Sequence, residues 1–474
     1  MDAPLPEIER SGTERAGTEL ASGGSNRHLL RILGVGFGVA VIVGSTIGSG
    51  ILLTPGDVAA HLRNPWLIFA AWSMGGVFAF LCTQSVAELG TMLPQAGGWF
   101  VYSRRAFGEY GGFLVGCCDW MVQTAAIAYL AAAFGEFAAG LVPALQGHTE
   151  APAVTCLIVL TLLNWLGLRT GSWVQEITSL TKALGLVAFV VVCFLVRPAA
   201  VAGATVASQG LSHLPPMGLP IAIILALQSI IVTYDGWYGA IYFTEEDEDP
   251  SRNLPRSSII GVLACGAIFL LVNAALLHLL PIDKLAASQM PAADAAAMIF
   301  GGHGRTVMLV LSLVTAISSI NACLMVTPRI LFAMARDRLM PASITSINSG
   351  GTPSRALLLC TAVSIGLVLS GSFETLVAIS AILYVAVYMS GFVSLYILRR
   401  REPGLLRPFK MWGYPWTALA ICLGTGAFLV ASIVADLKHA LFTLVVVAST
   451  WPLYVLGTRL RRSREASGGD LAGS

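Results

Sequence analysis

Charge is what this sequence has least of. Asp, Glu, Lys and Arg make up 11% of its 474 residues, where a water-soluble domain carries roughly a quarter. Hydrophobic residues reach 56% and mean hydropathy is +0.77. No aqueous core could bury that much apolar surface, so the solvent of this chain is lipid. A formal net charge of +2 is too small to imply a nucleic-acid partner. Cysteines number nine, and each lies in an apolar run, without metal-ligand spacing and without a Cys-rich loop. That excludes a disulfide framework and a metal site, and leaves them as small packing residues. The motifs HExxH, GxSxG and GxxxxGK[ST] are absent, so no enzyme signature and no cofactor requirement is legible. Residues 1–28 lack the apolar core of a signal peptide. Their Gly, Ser, Thr and Glu content reads as a disordered cytoplasmic tail.

What is present is a series of apolar segments, near 30–60, 65–92, 110–141, 152–169, 173–196, 220–243, 257–280, 305–334, 355–371, 373–398, 413–435 and 439–458. Each approaches the ~20 residues that span a bilayer as a helix. The expected fold is an all-α membrane protein of about twelve transmembrane helices. With the N-terminus inside, 22 Arg and Lys residues fall on the inner side and 5 on the outer side, the latter being Arg63, Arg197, Lys284, Arg305 and Lys438. The excess puts both termini in the cytoplasm. Lysine is scarce, with only Lys182, Lys284, Lys410 and Lys438. Lys182 alone falls inside a span, nine residues into the fifth segment, too deep to snorkel easily.

Two segments break the rules of a continuous helix. The first holds Gly44-Ser45-Thr46-Ile47-Gly48-Ser49-Gly50 and then Pro55. Glycine costs roughly 1 kcal/mol per helical position, and unwound backbone at membrane depth survives only beside protein or a wet cavity. A GxxxG-like packing face through Gly44 and Gly48 is the bland alternative. The hydroxyls of Ser45, Thr46 and Ser49 favour a binding site. The sixth segment carries Thr233-Tyr234-Asp235-Gly236-Trp237-Tyr238-Gly239, an acidic residue beside glycine near the midplane, where a charge costs about 2.5–3.5 kcal/mol. Segments one and six hold matching positions in two five-helix halves, about 30–196 and 220–398, the pattern that marks the substrate site of inverted-repeat transporters. A half-helix beginning at Ser49, Gly50 and Ile51 offers N–H groups to a carboxylate. Unwound carbonyls and the Asp235 neighbourhood suit an ammonium. A 2-amino acid satisfies both.

An ordered set of further motifs runs from about Leu33 to Lys410: Ala87-Glu-Leu-Gly90, Pro94, Gly97-Gly98, Tyr102, Arg105-Ala-Phe-Gly108, Thr244-Glu-Glu246, Pro250, Arg252-Asn-Leu-Pro-Arg256, Asn321, Pro328-Arg329, Ala333-Met-Ala-Arg-Asp337, Pro341, Pro353, Arg407-Pro-Phe-Lys410 and Tyr414-Pro415. With the first-helix Gly/Ser run, they resemble the amino acid–polyamine–organocation superfamily, closest to its bacterial and L-type amino acid permeases. The resemblance implies a sodium-independent amino acid transporter working by alternating access, as exchanger or with protons, in the cell inner membrane. It implies a transport core over 29–398 with an inverted five-plus-five repeat. A cytoplasmic loop and helices eleven and twelve would follow over 399–458, and a cytoplasmic tail over 459–474.

The resemblance also assigns roles. Ser45, Thr46, Gly48, Ser49 and Gly50 take the substrate carboxylate. Val232, Thr233 and Asp235 take the amine, and Trp237 and Tyr238 shape the side-chain pocket. Val232 stands where relatives often have an aromatic gate, so either Trp237, Tyr129 or Tyr234 would cover the ligand or the gate would be looser. Lys182 matches the fifth-helix lysine of sodium-independent members, whose ammonium replaces a sodium ion between the first and eighth helices, with Ser318 or Ser319 as neighbours. Among other polar residues, Glu88 is expected to pair with a loop arginine, Asp119 to be interfacial, and the run 245–249 to meet cytoplasmic arginines that lock the inward gate. Gln123 and Tyr129 are candidate pocket linings. Competing readings are a polyamine or organic-cation transporter, which would want several acidic residues around the cavity, and a nutrient receptor of the same fold. A partner subunit is not legible.

Overall fold

The computed structural model describes residues 28–196, 218–371 and 373–469; the expected N-terminal tail and Arg197 lie outside them. Among the described residues every regular element is helical, with two isolated bridges, Leu33 to Asp247 and Ile347 to Pro353. In chain order the helices are α1 (Val35–Thr46), α2 (Gly50–Leu62), α3 (Pro65–Met92), α4 (Trp99–Leu141), α5 (Glu150–Leu166), α6 (Leu168–Leu195), α7 (Leu219–Thr233), α8 (Pro250–Leu279), α9 (Ile282–Ala287), α10 (Pro291–Phe300), α11 (Gly304–Arg336), α12 (Ser354–Ser370), α13 (Phe373–Arg401), α14 (Trp416–Ala435) and α15 (Leu437–Gly469).

Among the described residues eight helices are long and apolar enough to cross a membrane, and α1 and α2 together form a ninth span bent by 49°. The shorter apolar helices α5, α7 and α12 account for the remaining expected segments. Long side chains such as Leu180, Leu184, Leu263, Val430 and Leu444 are exposed on the outside, the inverse of a soluble surface and the face that lipid covers. The protein is therefore a multi-pass membrane protein.

Local chemistry explains the boundaries. Asn64 caps α3, its side-chain oxygen accepting from Trp66 N at 2.9 Å and Leu67 N at 3.3 Å, with Pro65 at the first helical position. Gly167, at φ 146°, turns α5 into α6. Three boundaries differ from expectation. Helix α4 starts at Trp99 rather than near 110, because the stretch before it is a short helix bent at Gly108, whose φ is 87°. The segment between α8 and α11 folds into α9 and α10, short helices that a search for bilayer-length apolar runs cannot register. Helix α15 runs on to Gly469, past the point where a tail was expected.

The interior is tied together by polar groups as well as apolar ones. Asn164 of α5 donates to Asn321 Oδ1 of α11 at 2.7 Å, and Asn321 donates to Gln175 Oε1 of α6 at 2.8 Å. Gln175 donates in turn to Ser179 Oγ at 2.9 Å, and Ser179 to the carbonyl of Ala40 in α1 at 2.7 Å. In lipid these groups have no water to return to, so the chain locks α5, α6 and α11 against the first helix.

All nine cysteines are unpaired, each buried or half-buried.

Candidate functional site

The two expected breaks meet. Helix α1 ends at Thr46 and α2 begins at Gly50, leaving Ile47, Gly48 and Ser49 unwound. Helix α7 ends at Thr233, and the chain turns through residues 234–238 before one 3-10 stretch, Gly239–Phe243. Gly236, at φ 105°, makes this junction. A Cβ there would lie 2.6 Å from the Ser45 carbonyl carbon and 2.7 Å from Thr46 N, so only glycine lets the breaks touch.

The two glycines of the GxxxG-like pair separate in role. A Cβ on Gly44 would sit 1.9 Å from Gln175 Nε2, whereas one on Gly48 meets nothing within 4 Å. Gly44 is the packing glycine against α6. Gly48 opens on a cavity.

That cavity, of about 420 Å³, is lined by Ser45, Thr46, Gly48, Ser49, Gly50, Thr233, Asp235, Trp237 and Tyr238, together with Val232, Gln123, Tyr129 and Ser319. It falls in the size range of small-molecule sites. On one wall the first N–H groups of α2, at Gly50 and Ile51, have no carbonyl of their own helix to bond. Opposite stands Asp235, whose Oδ1 accepts from Tyr388 Oη at 2.6 Å. Asp235 is the only charged side chain lining the cavity among the described residues.

Lys182 lies behind the first break rather than in the cavity. Its ammonium, fully buried, donates to the carbonyls of Gly44 at 2.6 Å and Ile47 at 2.7 Å. Ser319 donates to the same Gly44 carbonyl at 3.0 Å. Ser318 sits on a different face of α11, 3.1 Å from Ser179 Oγ. The two candidate serines are therefore not equivalent: Ser319 shares an acceptor with Lys182 and reaches the cavity, while Ser318 belongs to the interhelical polar chain.

The other candidates are held by their own neighbours. Val232 is 61% exposed, and its carbonyl accepts from Asp235 N at 3.2 Å. Thr233 is held by Thr54 Oγ1 at 2.8 Å and the Ser229 carbonyl at 2.9 Å. The Tyr234 ring packs between Trp72 and Phe269, with its hydroxyl on the Trp72 carbonyl at 3.2 Å, and the residue lines the cavity. Trp237 instead packs among Trp99, Tyr238, Tyr388 and Phe392, stacked on the last with centroids 6.1 Å apart. Asp119, outside the cavity lining, is 2% exposed and accepts from Tyr242 Oη at 2.8 Å. Missing from the expectations were Tyr384 and Tyr388 of α13, one helical turn apart, and Phe78 and Cys82 of α3 and Thr425 and Phe428 of α14, which extend the cavity sideways.

One end of the cavity is closed by ion pairs. Arg329 grips Glu246 through Nε at 2.8 Å and Nη2 at 2.9 Å, with the two side chains 2% and 0% exposed. Phe243 lies under the guanidinium at 4.7 Å. Glu245 receives Arg336 at 2.6 Å and the Ala96 N–H at 2.9 Å, and Arg104 pairs with Asp337 at 2.7 Å. Glu88 pairs with Arg399 of α13 at 2.5 Å, and Arg407 of the next loop lies at 3.6 Å. Toward the other end, Thr54 and Val232 also border a second, wider cavity of about 700 Å³ that includes Asp57, Ser229 and Gln289.

A helical membrane protein with a cavity held between two broken helices, sealed at one end, is a secondary transporter in architecture. The chain is matched by the amino acid permease family over residues 38–454 and belongs to that family. It is 26% identical to the serine/threonine exchanger SteT of Bacillus subtilis (strain 168) over 431 residues, 90% of this chain and 96% of the relative. It is 27% identical to the b(0,+)-type amino acid transporter 1 of Mus musculus over 392 residues, covering 81% and 79% of the two chains. With the large neutral amino acids transporter small subunit 2 of Homo sapiens it shares 26% over 422 residues, 84% of this chain and 76% of the relative.

Proposed function

We propose that the protein is a sodium-independent amino acid carrier that works by alternating access. The observation that carries this reading is the fully buried Lys182 ammonium bonded to the Gly44 and Ile47 carbonyls. A cation seated on the unwound carbonyls of a first-helix break supplies the positive charge that a sodium ion would otherwise bring, and its presence disfavours a second cation at the same place. The first turn of α2 then receives the substrate carboxylate at Ser49 and Gly50, with Ser45, Thr46 and Gly48 around it. Asp235 and the backbone of Val232 and Thr233 receive the ammonium, and Trp237 bounds the side chain. A polyamine or organic cation is disfavoured, because one carboxylate in the cavity cannot match several positive centres.

In this reading the sealed end faces the cytoplasm along with both termini, in the inner membrane of a bacterial cell. The core is the five-plus-five repeat over 29–398, and α14 and α15 are appended. The relatives named as an exchanger and as amino acid transporters favour a 2-amino acid as cargo.

The test is counterflow in proteoliposomes with radiolabelled amino acids. Rates should be unchanged when choline replaces sodium. Unlabelled amino acids should compete, whereas their amides and decarboxylated amines should not. Steep sodium dependence, or strong inhibition by a simple monoamine, overturns the assignment. Cysteines placed near Gly147 and Gly302 should label from outside, and one near Arg400 should not.

A further inference from the structure

Asp119 is the buried carboxylate that neither the cavity nor the seal employs. It sits in α4, one helical turn before the cavity-lining Gln123, and both its oxygens lie near a single hydroxyl, Tyr242 Oη, at 3.0 and 2.8 Å. One phenolic hydrogen cannot serve two oxygens. The titratable groups that face it are Tyr242 and Tyr238 from the stretch after the second break and Cys118 on α4 itself. Gln123 is its other polar neighbour. Tyr384 and Tyr388 of α13 lie beyond those tyrosines, Tyr388 with its ring 5.1 Å from that of Tyr238. From α11, Arg329 is taken by Glu246 and Arg336 by Glu245. Among the described residues no ion pair reaches Asp119. Burying an ionised carboxylate without a cation costs several kcal/mol more than burying the acid, so the closed state stores the neutral form.

Besides Gln123 on its own helix, Asp119 is bonded by Tyr242, from the stretch that leads into the sealing ion pairs. Tyr242 lies three residues before Glu245, in the stretch whose end forms the sealing ion pairs. Its ring is wedged against Gly98, where a Cβ would come within 2.7 Å of it. Thr244 of the same stretch bonds the Gln95 carbonyl at 3.0 Å. In alternating access, opening of the sealed end would separate this stretch from α4 and the 95–98 turn, part Tyr242 from Asp119 and admit water to the carboxyl.

We infer that Asp119 is a proton-carrying site of the transport cycle, protonated while the seal holds and released to the aqueous phase when it opens, so that net uptake is coupled to protons. The inference rests on the transport reading above. The step is a plain acid dissociation: the O–H bond breaks, its electron pair stays on the Asp119 oxygen and the proton leaves to entering water. Reprotonation comes from cavity water one turn away at Gln123.

Wild-type protein and the variants Asp119→Asn, Asp119→Glu and Tyr242→Phe are reconstituted in proteoliposomes, with radiolabelled L-serine and L-leucine as probes. Counterflow at equal pH on both sides is compared with uptake driven by an acidic exterior. The proton gradient should raise wild-type accumulation about ten-fold, the factor that one pH unit supplies. Asp119→Asn should keep counterflow within about two-fold, with a flattened pH profile across roughly pH 5 to 8, and lose the gradient response. Tyr242→Phe should displace the midpoint of that profile by about one pH unit. Wild-type counterflow without any gradient response overturns the inference while leaving the transport reading intact, as does an Asp119→Asn protein that still responds to the gradient. Absence of wild-type counterflow with every probe overturns the transport reading itself. If Asp119→Asn does not fold, Asp119→Glu decides: a displaced profile supports the proton site, and a profile identical to wild type overturns it.

Discussion

The two breaks face one cavity but are built in opposite ways. The first is a short stretch of small residues with a rigid polar backing: Gly44 jammed against Gln175, Ser179 on Ala40, Lys182 and Ser319 on the Gly44 carbonyl. The second is longer and aromatic, with Trp237 and Tyr238 packed against Trp99 and Tyr388, and Asp235 held by one phenol. Small residues bring backbone to the ligand, and backbone reads what every amino acid shares. Rings read what differs. Under the proposed function, the common carboxylate falls to the first break, the common ammonium to Asp235, and discrimination among side chains to the rings of the second break and of α13.

The largest effect expected from breaking this contrast is at Lys182. Lys182→Ala leaves the buried Ile47 carbonyl without its donor, at about 1–3 kcal/mol, and the Gly44 carbonyl with Ser319 alone. Counterflow should fall about a hundred-fold for every accepted amino acid alike, with less change in protein abundance. Normal turnover in this variant at every pH would make the lysine structural only.

The paired glycines sharpen the comparison. Gly48→Leu should cut uptake about thirty-fold while the melting temperature holds, since its side chain enters open cavity rather than a packed wall. Gly44→Ala should instead cost about 1–3 kcal/mol of stability, read as a drop in melting temperature in detergent. Equal melting temperatures for the two variants would contradict the division between packing and binding glycine.

The smallest effect is expected at the second break. Tyr388→Phe removes the hydrogen bond to Asp235, the proposed ammonium contact, and should raise KM about five-fold for serine and leucine alike. A change that differs between the two substrates would instead tie Asp235 to side-chain discrimination.

Much of this was legible in the sequence because a bilayer is an unforgiving solvent. Three glycines among hydroxyls in an apolar run, an aspartate beside glycine and a lone mid-span lysine each violate the rule for a spanning helix, and each marks the wall of the cavity or its backing. Tyr384 and Tyr388 violate nothing. Aromatic residues in an apolar span look the same whether they face lipid, core or cavity, so only the packing of α13 against α4 and the second break reveals them. Ser318 and Ser319 could not be told apart because one residue rotates a helix by about 100°, and the phase of α11 is set by its neighbours. The burial of Asp119 was not legible for a related reason: which face of α4 it occupies is set by the packing of Tyr242 against that helix, and the apolar pattern does not carry it.

The Glu246–Arg329 pair has a consequence for the solvent as much as for the protein. Both side chains are dry while the pair is made, and neither can part from the other in a dry environment without leaving a bare charge. Separation therefore needs water molecules to arrive as a stoichiometric participant, taking over the hydrogen bonds that each ion loses. Turnover limited by this event should slow as water activity falls, for instance when a membrane-impermeant osmolyte bathes the sealed end, even though no substrate, proton or membrane potential has changed.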